Sequence, residues 1–377
     1  MKKLLYFFQI TDYDILKENL KGTVFMSYID GMAAFHLEMP DNVPRTEYSP
    51  EIHWDLIRKV TGMNVNSQSP AHLQNEARRQ FYKAWDYGFS WNVCIHAPAL
   101  DKCRTKMGHA SYEADGSDYS NEISCPFADP EDAFDFQPME VYGKLDHQKL
   151  VETFNADYAL RKEFSPDAVN TSGIYITFIS GLLEIFGWDI LLAALGIDAK
   201  AFGDTANRYG AWIQQYFNAL ADSDVPIVTI HDDIVWTSGA FVRPAWYREF
   251  VFPNYRKLFS PLLEAGKKII YTSDGNYTEF IDDIAACGVS GFVLEPTTDM
   301  AYIAEKYGQT HSFVGNADTR ILLNGTREDI YNEVKRCMDI GKHCPGFFMA
   351  VGNHIPPNTP VDNCLYYNDF FEKLRKR

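Results

Sequence analysis

His231, Asp232 and Asp233 stand in a row at the end of "VPIVTIHDD" (225 to 233), and four other apolar runs end in the same way. Asp274 and Asn276 close "KKIIYTSDGN" (267 to 276), Glu295 closes "VSGFVLEP" (289 to 296), Asn316 and Asp318 close "HSFVGNAD" (311 to 318), and Asn353 and His354 close "GFFMAVGNH" (346 to 354). Carboxylates crowded together raise one another's pKa, which suits Asp232, Asp233 or Asp274 to proton transfer near neutrality. The same oxygens, with an imidazole from His354 or His231, form a hard donor set for a cation. Any one cluster is also what a strand-to-helix turn uses for capping. Capping needs one side-chain oxygen, however, and "HDD" supplies three ionisable groups. Adjacent residues on an extended backbone point to opposite faces, so only one of Asp232 and Asp233 is expected to meet a ligand. A backbone-bonded role at the edge of the core is the commoner one for a residue placed like His231. His354, before the turn "IPPNTP", is the better ligand candidate.

These groups share a site only if the runs are parallel strands. Amphipathic helical stretches separate them, and that alternation implies right-handed crossovers and one common face at the strands' carboxyl ends. Upstream, "HQKLVETFNADYALRKEF" reads as helix, "SGIYITFIS" as strand, and the stretch from Gly187 to Ser223 as two helices parted at "LGID". Residues 1–85 read as an N-terminal cap, and 97–138 as a loop-rich insertion with a hairpin turning at "ADGSD". No repeat or low-complexity linker divides the chain, so one domain over 1–377 is expected.

Composition narrows the function. A formal net charge of −16 without a basic stripe argues against nucleic acid and anionic membranes as partners. The apolar start "MKKLLYFFQITDYD" is interrupted by Gln9, Asp12 and Asp14, and a cytoplasmic location is expected. Seven cysteines with no C-x-x-C pair fit reduced thiols better than a disulfide framework or a zinc knuckle. Neither a phosphate loop nor a G-x-G-x-x-G after a strand is present, so no NAD or nucleotide cofactor is expected. Trp236, Phe241, Trp246 and Tyr247 follow the "HDD" strand and suit either loop packing or the wall of a pocket.

The segments "DDIVWTSGAFVRPAWYREFVFPNYRKLF" (232 to 259), "IIYTSDGN" (269 to 276), "GNADTRILLNGTREDIYNEVKR" (315 to 336) and "GNHIPPNTPVDN" (352 to 363) resemble the uroporphyrinogen decarboxylase superfamily, which includes corrinoid-dependent methyltransferases. With a looser match through "GDTANRYGAWIQQYFNALADS" (203 to 223), the resemblance covers 145–377. It implies an α/β fold, the (β/α)8 TIM barrel, with its site at the strand ends identified above. The family's decarboxylases carry an R-Q-A-G-R-like segment, and "VPRTEY" offers only Arg45. Where they have a histidine in a G-H-G-I context, this chain has Asn353, with His354 next. Thiol-activating methyltransferases hold zinc through H-x-C and a later cysteine; Thr272, Ser273 and Asp274 occupy the first position and Asn353 the second.

The "SDGN" form is more similar to O-demethylase relatives, whose acidic zinc pattern E-x14-E-x20-H has its counterpart in Asp318, Glu333 and His354. Glu333 lies within a helical pattern that normally runs outside a barrel. The resemblance thus implies a methyltransferase that moves a methyl group from a small methylated donor to a corrinoid (cobalamin) carried by a partner protein. Asp274, His354 and Asp318 would hold zinc or polarise the leaving atom, and Asp232 or Asp233 would serve as general acid. His231, Asn276, Glu295, Asn316 and Asn353 would orient the substrate. Two alternatives stand beside it: decarboxylation of a small carboxylate, with a carboxyl group or His354 protonating the carbanion, and a ligand-binding barrel that has lost catalysis.

Overall fold

The structure, a computed structural model, describes residues 26–105 and 124–377. The expected hairpin turn at "ADGSD" lies outside the described residues. The strands are β1 (Phe89–Ser90), β2 (Val169–Asn170), β3 (Ser172–Ile174), β4 (Ile227–His231), β5 (Val235–Trp236), β6 (Gly239–Ala240), β7 (Lys268–Thr272), β8 (Gly291–Val293), β9 (Ser312–Val314) and β10 (Phe347–Phe348). Six pair in the order β10-β9-β8-β7-β4-β3, and every pairing in that sheet is parallel. β2 continues the β3 path on the other side of Thr171 and pairs in parallel with β1. Gly173 belongs to this close contact, since a Cβ there would lie 1.8 Å from the Thr229 carbonyl oxygen of β4.

The ring closes through the N-terminal segment. The Gly88 amide donates to Arg45 O at 2.8 Å on one side, while Met349 N donates to Pro44 O at 2.9 Å and Thr46 N to Met349 O at 3.1 Å on the other. Arg45 therefore bridges in parallel to both Tyr87 and Met349, and the fold is an eight-staved TIM barrel whose first stave is reduced to isolated bridges. This corrects the expectation that residues 1–85 cap the barrel, because part of that segment builds its wall. Polar letters disguised the stave: Arg45 is fully buried, with its guanidinium over Trp85 at 4.4 Å and ion-paired to Glu47 at 2.6 Å.

Inside, Phe89, Val169, Ile227, Ile270, Val293, Val314 and Phe348 form an apolar layer drawn from seven staves. Helix α1 (Met26–Phe35) plugs this layer at the strands' amino ends, with Phe35 centred 5.3 Å from Phe89 and 4.6 Å from Phe348. Ser312 at the start of β9 donates to Ala34 O at 3.1 Å. Burying such side chains contributes roughly 1.5–3 kcal/mol each, and the packed layer leaves the carboxyl ends as the accessible face.

Outside, the strand expected in "SGIYITFIS" ends at Ile174, and a helical stretch, α4 (Ile179–Asp222), begins within the same run. Non-helical backbone interrupts α4 at Gly187 (φ 70°) and at Asp198. The second break is the one expected at "LGID", and the first uses glycine's tolerance of positive φ. α4 is long and apolar enough by composition to cross a bilayer, yet 67% of its apolar window is buried within the fold. All seven cysteines are free. Trp236 and Phe241, on and beside the β5–β6 hairpin, pack with Trp188, while Trp246 and Tyr247 bond the backbone of Ala199 and Ile234. These aromatics hold loops together, as one of the two readings expected.

Candidate functional site at the barrel mouth

The end of β4 divides its two acids between wall and mouth. Asp232 is fully buried and accepts hydrogen bonds from the backbone amides of Phe178 (3.1 Å), Ile179 (3.1 Å) and Ser180 (2.6 Å), and from the Tyr255 hydroxyl. These amides open helix α4, whose first N–H groups lack intrahelical partners and favour an anion. Burial outweighs these donors and pushes the Asp232 carboxyl up to about 6. Its oxygens are committed to the wall, which corrects its assignment as a catalytic acid. Asp233 turns the other way, its amide held by Ser180 Oγ at 2.8 Å and its Oδ1 accepting from Asp274 N at 2.9 Å.

Asp233 Oδ1 also lies 3.2 Å from His231 Nε2. One ligand atom each from His231, Asp233 and Asp274 fall within 4.8 Å of one another. The imidazole is buried and fixed by Tyr175, whose ring stacks on it at 3.8 Å with 6° between planes. Trp91 approaches its edge at 6.3 Å and donates from Nε1 to Thr272 Oγ1 at 3.1 Å. The Asp274 carboxylate opens to the mouth and accepts no hydrogen bond from any described residue. Burial first, then the charges of Asp233 and Glu295, hold its pKa well above the usual carboxylate range.

Glu295 completes the rim. Its Oε2 accepts from Gly275 N at 2.9 Å and its Oε1 from Asn353 Nδ2, while Asn353 Oδ1 receives His354 N at 2.8 Å. Burial raises the Glu295 pKa, and the Asn353 bond is the largest influence opposing it. Asn353→Ala is therefore expected to move the Glu295 titration further up, as followed by carboxyl-carbon NMR. An unchanged midpoint would refute this coupling.

Other residues expected at the site are placed differently. The Asp318 carboxylate is clasped by Arg320, with contacts at 3.0, 3.1 and 2.6 Å, and this holds its pKa below the ordinary range. Glu333 does reach Asp318, accepting its amide at 2.9 Å, but its carboxylate is paired with Arg336 at 2.7 Å. The spacing Asp318–Glu333–His354 thus brings two acids together at arginines, and the donor set gathered in the mouth is His231, Asp233 and Asp274 instead. His354 lies at the rim beside Ser49, its pKa lowered by burial. Asn276 and Asn316 serve the frame. The first caps its own turn through Thr278 N at 3.1 Å; the second donates to Glu295 O at 3.1 Å and Thr298 O at 3.2 Å and accepts from Arg336 at 3.0 Å.

Sequence reasoning missed Tyr48, Trp91 and Tyr175. Tyr48 bridges His354, and its hydroxyl is buried with no hydrogen-bond partner among the described residues. Burial, followed by Glu47 and Asp274, raises its pKa far above that of a free phenol. Aromatics give no polar signal at a strand end, and Tyr175 was hidden inside an apolar run.

A closed parallel barrel with titratable groups gathered at its carboxyl face has the architecture of TIM-barrel enzymes. Residues 187–374 match the family described as uroporphyrinogen decarboxylase (URO-D). The chain belongs to the uroporphyrinogen decarboxylase superfamily. It is 28% identical to the uroporphyrinogen decarboxylase of Syntrophotalea carbinolica over 159 residues, 42% of this chain and 45% of that protein. With a uroporphyrinogen decarboxylase of Thermus thermophilus, identity is 27% over 160 residues, again 42% and 45% of the two chains. The chain thus spans a little under half the length of the curated relatives it matches. A solved methyltransferase from Methanosarcina mazei shares the fold, with TM-score 0.62, 17% identity, and coverage of 93% of this chain and 99% of that one.

Proposed function

We propose that this protein transfers a methyl group from a small methylated donor, bound in the barrel mouth, to the cobalt of a corrinoid carried by a partner protein. The observation that supports this most directly is the convergence of His231, Asp233 and Asp274. Tetrahedral zinc with nitrogen and oxygen ligands at about 2.0–2.2 Å would set ligand atoms about 3.3–3.6 Å apart; the His231–Asp233 separation of 3.2 Å is close to that, and all three ligand atoms lie within 4.8 Å of one another. His231, Asp233 and Asp274 would hold such a cation, and a site with three protein ligands would leave room for substrate. A divalent cation held there would supply Lewis acidity to the donor's leaving oxygen or nitrogen.

The chain's own residues do the rest. Tyr175 and Trp91 fix the imidazole, and the backbone amides of Asp274 and Gly275 orient the Asp233 and Glu295 carboxylates. Glu295, whose raised pKa keeps it protonated further toward neutrality, is placed to give the leaving atom its proton. In the transfer, the carbon–heteroatom bond breaks with its electron pair remaining on the heteroatom, which takes that proton. Methyl bonds to cobalt(I), which supplies both electrons of the new bond and becomes cobalt(III). An acid-rich mouth favours this reading over holding a multiply anionic tetrapyrrole.

Zinc content and methylation of cob(I)alamin by an aryl methyl ether or a methylammonium donor test the proposal. About one zinc per chain and donor-dependent methylcobalamin are expected. Zinc affinity is expected to strengthen as pH rises beyond the ordinary carboxylate range, because the Asp274 carboxyl, held above that range, must lose its proton before it can ligate. Carbon dioxide release from a small carboxylate, without any corrinoid requirement, would replace this reading with decarboxylation.

A further inference from the structure

Beside the acidic centre lies a cleft of about 490 Å3 with a different chemistry. Tyr48, Trp91 and His354 line its mouth end, and Arg78, Arg161 and His96 line the rest. Arg78 comes from helix α2 (Ala71–Ala84) and Arg161 from helix α3 (His147–Phe164), so two elements remote in sequence bring their cations to one space. Both act on the half-buried Tyr82, whose ionised form each would stabilise, which locates the two guanidinium groups on a common neighbour.

Each arginine is held from behind. Arg78 donates from Nε to Glu51 O at 3.0 Å and from Nη1 to Asn75 Oδ1 at 3.1 Å, with its guanidinium over the Trp54 ring at 4.9 Å. Arg161 donates from Nε to Asp157 Oδ1 at 3.2 Å, and Asp157 is itself fixed by Ser172 Oγ of β3 at 2.7 Å. Nη2 of Arg78 and both terminal nitrogens of Arg161 donate to no described residue. Of the acids in the cleft, Glu47 is committed to Arg45, Tyr367 and Val351 N, and Glu51 makes no ion pair with Arg78 while burial raises its pKa. Positioned guanidinium groups with free N–H donors recognise oxyanions bidentately. Asp157 pairs with Arg161 and Glu51 feels the charge of Arg78, so what the cleft offers is a pair of positioned N–H donor groups rather than a net positive charge.

We infer that this cleft is an oxyanion subsite, in which Arg78 and Arg161 hold a carboxylate or phosphate at the end of the substrate remote from the reacting group. The inference deepens the proposed function and rests on the mouth being the substrate site. The substrate is then an anion whose charged tail lies across Tyr48 and Trp91 from the reactive centre.

Calorimetric titration of the whole protein with glutarate, inorganic phosphate and neutral glutaramide tests this without corrinoid or turnover. Saturable binding of glutarate or phosphate, but not glutaramide, is expected, and the preferred anion identifies the tail as carboxylate or phosphoryl. Arg78→Gln with Arg161→Gln should weaken it at least about tenfold, Arg161→Lys should retain much of it, and Arg79→Gln, outside the cleft, should leave it unchanged. Wild-type protein that binds neither anion, or a circular-dichroism-verified folded double variant that binds as tightly as wild type, overturns the inference. Anion binding intact in a protein that methylates no cobalamin would defeat the proposed reaction alone.

Discussion

Asp274→Asn protein is expected to lose zinc binding and to transfer methyl about 10²–10³-fold more slowly, while its metal-free form melts roughly 1–2 °C higher than wild type near neutral pH. The opposite signs have one cause. The Asp274 carboxylate accepts no bond from a described residue and is crowded by Asp233 and Glu295, so the ionised form is poorly accommodated until something cationic joins it. A carboxyl with a folded pKa above its unfolded value contributes stability fully present below the unfolded pKa and lost as pH rises through the folded one. The Asp274 contribution to the melting temperature of metal-free protein should therefore fall as pH rises above the ordinary carboxylate range, read as the difference between wild type and the asparagine variant. The variant should lose less over that rise, and because Asp274 opens to solvent the difference is small. Differential scanning calorimetry over the same rise in pH, beside zinc analysis, gives both readouts. Equal zinc content in variant and wild type would remove Asp274 from the ligand set, and a variant that melts lower would contradict the electrostatic account.

Asp232→Ala is expected to destabilise the protein by about 3–5 kcal/mol, the largest loss from a single side chain at the site. Three amides at the start of α4 and the Tyr255 hydroxyl would lose their common acceptor in a fully buried place. Asp232→Asn should fall between, since its one oxygen serves some donors while its amide hydrogens face the others. With a pKa raised from 3.8 to about 6, the carboxyl's protonation-linked contribution is present below the lower value and lost as pH climbs through the upper. Urea unfolding at pH 7 measures the loss, and zinc analysis of the folded fraction should show it unchanged. A loss under about 1 kcal/mol would mean that solvent or backbone shifts replace the acceptor.

Much of this was legible in the chain. The five apolar runs ending in polar residues are parallel strands, and His231, Asp233, Asp274, Glu295 and Asn353 do meet at their carboxyl ends. The opposite orientation of Asp232 and Asp233 followed from strand geometry alone. The choice of which faces the mouth did not, since it depends on where α4 starts, and that start was concealed in a run of β-branched and aromatic residues. The spacing of Asp318, Glu333 and His354 misled because sequence distance does not register Arg320 and Arg336, which take the two acids. The first stave was missed for a related reason. Arg45 and Glu47 satisfy each other inside the wall, and a buried ion pair reads in sequence as exposed loop.

That stave has a consequence for how the protein is made. Glu47 accepts a hydrogen bond from Val351 N, 304 positions later, along the same seam where Arg45 meets Met349. A ribosome adding about 5–20 residues per second separates the two sides of the seam by tens of seconds. Throughout that interval the nascent barrel has open edges at the Arg45 stave and at the growing sheet, and Glu47 lacks its Val351 and Tyr367 donors. Edges of this kind are where chains mispair, so chaperone dependence should concentrate in the stretch of synthesis before Met349 emerges.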